Sequence, residues 1–176
     1  MNEYSLDPSD VHKLNAAFGW LELGNEAEAK KEYDSLSVKA RSRPEALEFE
    51  WQYYSRAENW TRCFSVGELL VAGFPERESG WIYRSFALHE LKQTQAAFDQ
   101  LAPALVRFNK NSTIPYNLAC YCCQLGALDE ARAWLVKAFK IDEANGQKGA
   151  HGQLALEDPD LQPLWEEIRQ IAGATL

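Results

Sequence analysis

Apolar and small side chains recur along most of this chain at spacings of three and four, the period of an amphipathic helix. After Asp7-Pro8-Ser9-Asp10, Val11, Leu14, Ala17, Phe18 and Leu21 trace one such stripe. The preceding four residues read as its start: an acceptor side chain, a Pro in the first turn and a further acid. Gly24-Asn25 ends this helix, and a second begins at once, with Ala29, Tyr33 and Leu36 inward, running to about Arg43-Pro44. The next pair places Leu47, Trp51 and Tyr54 on its first helix and Trp60, Cys63, Phe64 and Leu70 on its second, closing at Gly73-Phe74-Pro75. A third pair follows through Trp81, Ser85, Leu88 and Leu91, then Ala97, Leu101 and Ala104. Pro103 inside its second helix predicts a kink or a shortening there. After the joint Asn109-Lys110-Asn111, a fourth pair runs through Tyr116–Asp142 with its break at Gly126.

The pairs are in register. Stepping back by 34 from Ala131 reaches Ala97, Cys63 and Ala29, all small. Gly126 steps back through Lys92 and Glu58 to Gly24, and Leu125 through Leu91 and Ala57 to Leu23. We therefore expect a single domain over 1–176 with repeats at about 10–43, 44–77, 78–111 and 112–143, and a C-terminal cap over 144–176. Trp51 stands at the seat that Ala17 and Ala119 occupy in other copies, so copy two should be pushed apart or tilted. Beyond Asp142 the period fails. Asn145–Gly149 reads as a flexible joint, Ala150–Leu156 as a short helix, and Glu157–Trp165 as a Pro-bounded turn that opens a last helix to about Ile171. A stack of repeats needs an end element with one polar face. Residues 1–6 read as a loose tail. The initial Met and the helix start at Asp7 lead us to expect a whole protein.

Charge narrows the function. The net charge is −8, and both ends are acidic: 13 acids against 8 bases over 1–75, and 5 against 2 over 144–176. With no basic stripe, nucleic acid is a poor partner, as is an anionic membrane surface. No apolar run approaches the ~20 residues of a membrane span, and the first ten residues lack a signal-peptide pattern. Cys120, Cys122 and Cys123 crowd one helix and point in different directions, against a disulfide framework. A reducing, cytoplasmic setting fits these features.

Residues 11–143 resemble the tetratricopeptide repeat family, whose signature is a helix–turn–helix of 34 residues. Asn15, Gly24, Glu28 and Ala29 carry the likeness in the first copy, and Asn117, Leu118, Gly126, Asp129, Glu130, Ala131 and Ala138 in the fourth. Copies two and three keep Trp81 and Pro75 but depart at Trp51, Glu58, Lys92 and Gly67. Asn117–Cys120, Leu128–Ala131 and Asp158–Leu164 also resemble the segment that ends many bacterial arrays of this kind. The resemblance implies an all-α, right-handed superhelix, an α-α solenoid of four helix-turn-helix repeats with capping helices. It further implies non-enzymatic work: a concave groove of first helices that holds a peptide or an amphipathic helix of another protein.

Carried onto this chain, the groove positions are Leu14, Phe18, Leu21 and Glu22; Glu48, Gln52, Ser55 and Arg56; Ile82, Phe86, His89 and Glu90; and Tyr116, Cys120, Cys123 and Gln124. Leu14 and Phe18 stand where relatives that clamp a C-terminal carboxylate carry Lys and Asn, so that clamp is absent. An apolar groove suits a helix or a short apolar peptide, unless the chain's own end segments or a second copy cover Phe18 and Phe86. Two other readings remain: a small acidic chaperone for a hydrophobic client, or a metal- or ligand-dependent regulator using His89, Cys120 and Cys123. Those three could begin a zinc site, yet a fourth ligand is missing and buried cysteines commonly serve as small apolar groups. We expect no cofactor. HExxH, GxSxG and a Gly-rich phosphate loop are all absent from the sequence, the thiols lack a positive surrounding, and no enzyme is expected.

Overall fold

Asp7 accepts a hydrogen bond from the Ser9 amide at 2.8 Å and so caps α1 (Pro8–Glu22), with Pro8 in its first turn. From this start the computed structural model describes residues 6–173. The tail expected over residues 1–6 lies, but for Leu6, outside them. The chain divides into two units, Met1–Tyr83 and Arg84–Leu176. The first holds α1, α2 (Glu26–Asp34), α3 (Val38–Arg41), α4 (Pro44–Arg56), α5 (Trp60–Gly73) and the start of α6 (Glu78–Glu90). The second holds the rest of α6, α7 (Thr94–Leu101), α8 (Ala104–Arg107), α9 (Thr113–Gln124) and α10 (Leu128–Ala144). It ends with α11 (Ala150–Glu157), a 3-10 turn (Pro159–Leu164) and α12 (Trp165–Gly173). Among the described residues there is no strand.

The backbone repeats as the sequence does. Gly24, Glu58, Lys92 and Gly126, each 34 residues from the next, have φ of 76°, 51°, 63° and 78°. At each, the amide bonds the carbonyl three residues back, and the next residue's amide bonds the carbonyl five back, as in Asn25 to Trp20 and Ala127 to Cys122, both 2.9 Å. This is the Schellman closure of a helix, which needs one left-handed residue. The carbonyl of that next residue then opens the second helix by accepting from Ala29, Cys63, Ala97 or Ala131, each at 3.0 Å. Those four side chains are fully buried. Close packing of the two helices at this point leaves room only for a small group.

In the first unit an otherwise aliphatic core is built around an aromatic cluster. Phe49, fully buried, stacks on Tyr33 with ring centroids 5.0 Å apart and meets the edge of Phe18 at 5.3 Å. A pair of this kind adds roughly 0.5–1.5 kcal/mol to the burial itself. The large ring of Trp51 is taken up by a face-to-face stack on Tyr83 at 4.1 Å. Gly80 lets α6 close on α5: a Cβ there would stand 2.8 Å from that of Leu70.

One element differs from its expected form. The second helix of copy one does not run unbroken to Arg43 but stops at Asp34 and restarts at Val38. The break is held from afar, because Asp10 on α1 accepts from the Ser37 amide at 3.0 Å and from its hydroxyl at 2.6 Å. In copy three the shortening comes where Pro103 predicts it: α7 ends at Leu101 and α8 begins just after the ring.

A left-handed conformation strains any residue with a Cβ by roughly 1–2 kcal/mol, so the four equivalent turns are unequal. Glu58→Gly and Lys92→Gly should each stabilise the fold by about 1 kcal/mol, and Gly24→Ala and Gly126→Ala should cost about as much. Urea unfolding of the four single variants checks this. Equal midpoints for all of them would contradict it.

Candidate functional site

The face that α9 was expected to present as a groove is covered by the C-terminal segment. Asp158 ends α11 and caps the 3-10 turn by accepting from the Asp160 amide at 3.0 Å. Its carboxylate also accepts from the Tyr116 hydroxyl at 2.8 Å and lies 3.5 Å from the Cys120 sulfur. Asp160 is 2.8 Å from His89 Nε2, and its carbonyl accepts from Gln124 Nε2 at 3.1 Å. Leu161, Leu164 and Ile168 supply the buried apolar part of the same element. Arg132 on α10 clasps Glu167 on α12 through two bonds of 2.6 and 2.8 Å. Two parallel bonds of this kind fix geometry as well as charge.

Burial and acids decide the electrostatics. Burial raises the Cys120 thiol strongly, and the Asp158 and Asp160 carboxylates raise it further. Burial lifts Cys63, Cys122 and Cys123 to about 11 each, with Glu130 adding to Cys122 and Asp160 to Cys123. Burial and the nearby Cys120 and Asp158 push the Tyr116 hydroxyl up as well. All four sulfurs are therefore protonated, non-nucleophilic thiols. Asp142, also buried, goes the other way. Burial raises it, but bonds from the Ser112 side chain and from the ring and amide of His151 outweigh that and hold it below its ordinary value.

The expected groove residues thus separate. Leu14 and Leu21 lie in the first unit's core, and Phe18 packs half-buried against it. Glu22 and Arg56, equivalent positions on α1 and α4, are exposed, and Gln52, the equivalent of Phe18, is half-buried. Glu48 is engaged within the unit by Arg77 and by the Ser79 hydroxyl at 2.6 Å. Ile82 and Phe86 on α6 are half-buried. Tyr116, Cys120, Cys123 and His89 are buried under the C-terminal segment, with Gln124 exposed at its edge. His89 uses both ring nitrogens, one on Asp160 and one on Thr94. Its partner is a carboxylate rather than Cys120 or Cys123, and among the described residues no three His, Cys, Asp or Glu side chains are grouped to hold a metal. Asp158 and Asp160 carry this arrangement, yet sequence reasoning assigned them only to a turn.

Two measurements follow from this geometry. A group held below its ordinary value stabilises the fold fully above that value, and the contribution is lost as pH falls through the folded one. Asp142→Asn should therefore weaken the protein at neutral pH and flatten its loss of stability below about pH 4. Urea midpoints from neutral to acid pH check this, and an unaltered acid limb would contradict it. A thiol reagent at neutral pH should modify the native protein slowly and all four cysteines after unfolding. A fast native reaction would show that the thiols are accessible.

No protein-family model and no curated protein matches the chain. The solved structure of MamA (MSR-1, C2), a protein that contains tetratricopeptide repeats, does. The TM-score is 0.63 at 15% identity, and the match covers 82% of each chain. At that identity the likeness speaks for the fold: all-α, of the tetratricopeptide type of helical solenoid.

Proposed function

We propose that this chain is a non-enzymatic protein-interaction module of the cytoplasm that holds a helix or extended peptide of another protein on first-helix positions of its N-terminal unit. The observation that carries this reading is the contrast between equivalent positions. On α9, Cys120 at the position equivalent to Phe18 and Gln52 is buried beneath the chain's own C-terminal segment, which resembles the ending of bacterial repeat arrays. On α1 and α4, Glu22 and Arg56 are exposed and Gln52 and Phe18 half-exposed. The fold type supports a binding role, since helix-pair solenoids commonly bind other proteins through extended surfaces. A mixed surface of one acid, one base, an amide and a ring edge suits a polar-flanked helix that presents one apolar stripe. Among the described residues no helix is long and apolar enough to cross a membrane.

Phe18 is unsuited to a test, because its ring braces Phe49. Glu22→Arg with Arg56→Glu alters two exposed charges and should leave the circular dichroism spectrum unchanged. A partner retained from native lysate by the wild type should bind the double variant at least about tenfold more weakly. If both baits retain the same proteins equally, these positions do not form the binding surface.

A further inference from the structure

The first unit carries a pocket of about 480 Å³ formed by α2, α3, α4 and α5. It lies on a different side of α4 from Gln52 and Arg56 in the sense that second helices wall it, and it does not depend on the first-helix reading above. Its origin is the interrupted second helix of copy one. The positions of α5 equivalent to Ser35–Val38 are Leu69–Ala72, and these are helical, so α5 runs on where α2 stops. Asp10 draws Ser37 toward α1, and the flank of α4 that a full-length α2 would cover is left open. The volume falls within the range of ligand-binding clefts.

The lining has both an apolar and a charged part. Val38 and Leu69, 85% and 57% exposed, stand at the pocket with no core role. Tyr33, Tyr53 and Tyr54 supply aromatic surface beside them. Its charged residues are Lys30, Arg41, Arg62 and Glu50, and Lys30 is already taken up by Asp34 at 2.6 Å. Glu50 is already matched, accepting from the Tyr33 hydroxyl at 2.9 Å and pairing with Arg62 at 3.6 Å. Arg62 also lies over the Tyr54 ring at 5.2 Å, which holds it in place. Arg41 donates to two main-chain carbonyls, of Leu36 at 3.2 Å and Asp34 at 2.7 Å, and these leave its positive charge in place. In a protein of net charge −8, Arg41 thus leaves this lining a net positive charge beside an apolar opening.

From that complementarity we infer a second binding site, which takes an acidic peptide segment of a partner protein with one large apolar side chain. The apolar side chain enters between Val38 and Leu69 against the tyrosines. A flanking carboxylate meets Arg41 and Arg62, whose planar forks match it. A basic peptide is disfavoured, because the acids at and beside the pocket are already engaged, Glu50 by Tyr33 and Arg62 and Asp34 by Lys30.

The test is selection of random displayed peptides on the full chain, followed by affinity measurement of the recovered peptides. The variants are Val38→Asp and, separately, Arg62→Gln; Val38 packs on nothing that folding requires, so at least one keeps the fold. Recovered peptides should combine acids with a large apolar residue and lose at least about tenfold in affinity on each folded variant. They should bind Glu22→Arg with Arg56→Glu normally, which separates this site from the first-helix surface. Recovery of no peptide, of peptides without acidic bias, or of peptides indifferent to both variants would overturn the inference. So would a dimer in light scattering that Val38→Asp converts to monomer, since the pocket would then be filled by a second copy.

Discussion

Everything in this fold hangs on one backbone conformation repeated four times. A helix that must reverse within two residues needs a left-handed residue at its end, so that two amides can turn back onto its last carbonyls. Once that turn is closed, the next carbonyl begins the second helix and the residue four places on is driven against the first. Ala or Cys stands there in all four copies. The period of 34, the small buried positions and the antiparallel pairing are one constraint seen at three levels.

The same constraint explains what could be read in the chain. The small positions were legible because sterics admit few residue types at Ala29, Cys63, Ala97 and Ala131. The turns at Glu58 and Lys92 were legible only through register, since neither residue favours the conformation it adopts. Pro103 announced its own effect because its cause is local. The stop at Asp34 was not legible: it depends on Asp10, which lies 27 residues from Ser37 along the chain. Sequence periodicity carries no trace of a capping acid on another helix.

The proposed binding surface was legible in part for a related reason. Equivalence between copies placed Glu22, Arg56 and Gln124 at matching positions, and all three are exposed. It could not say that the fourth copy would be sheltered by a segment 42 residues beyond Tyr116 and 71 beyond His89. There the polar groups of the face serve cohesion. Tyr116, His89 and Gln124 satisfy an acidic turn, and partly covering two carboxylates beside a thiol is tolerable because each finds donors.

The uneven composition of the four turns also gives the chain a direction in time. Gly24 and Gly126 close their helix pairs without strain, whereas Glu58 and Lys92 close theirs only when neighbouring contacts repay it. In a stack whose members stabilise one another pair by pair, structure can begin wherever local closure is easiest. Here that is at the first and fourth pairs. The two middle pairs then assemble onto templates already formed, and it is there that the chain would come apart first under stress.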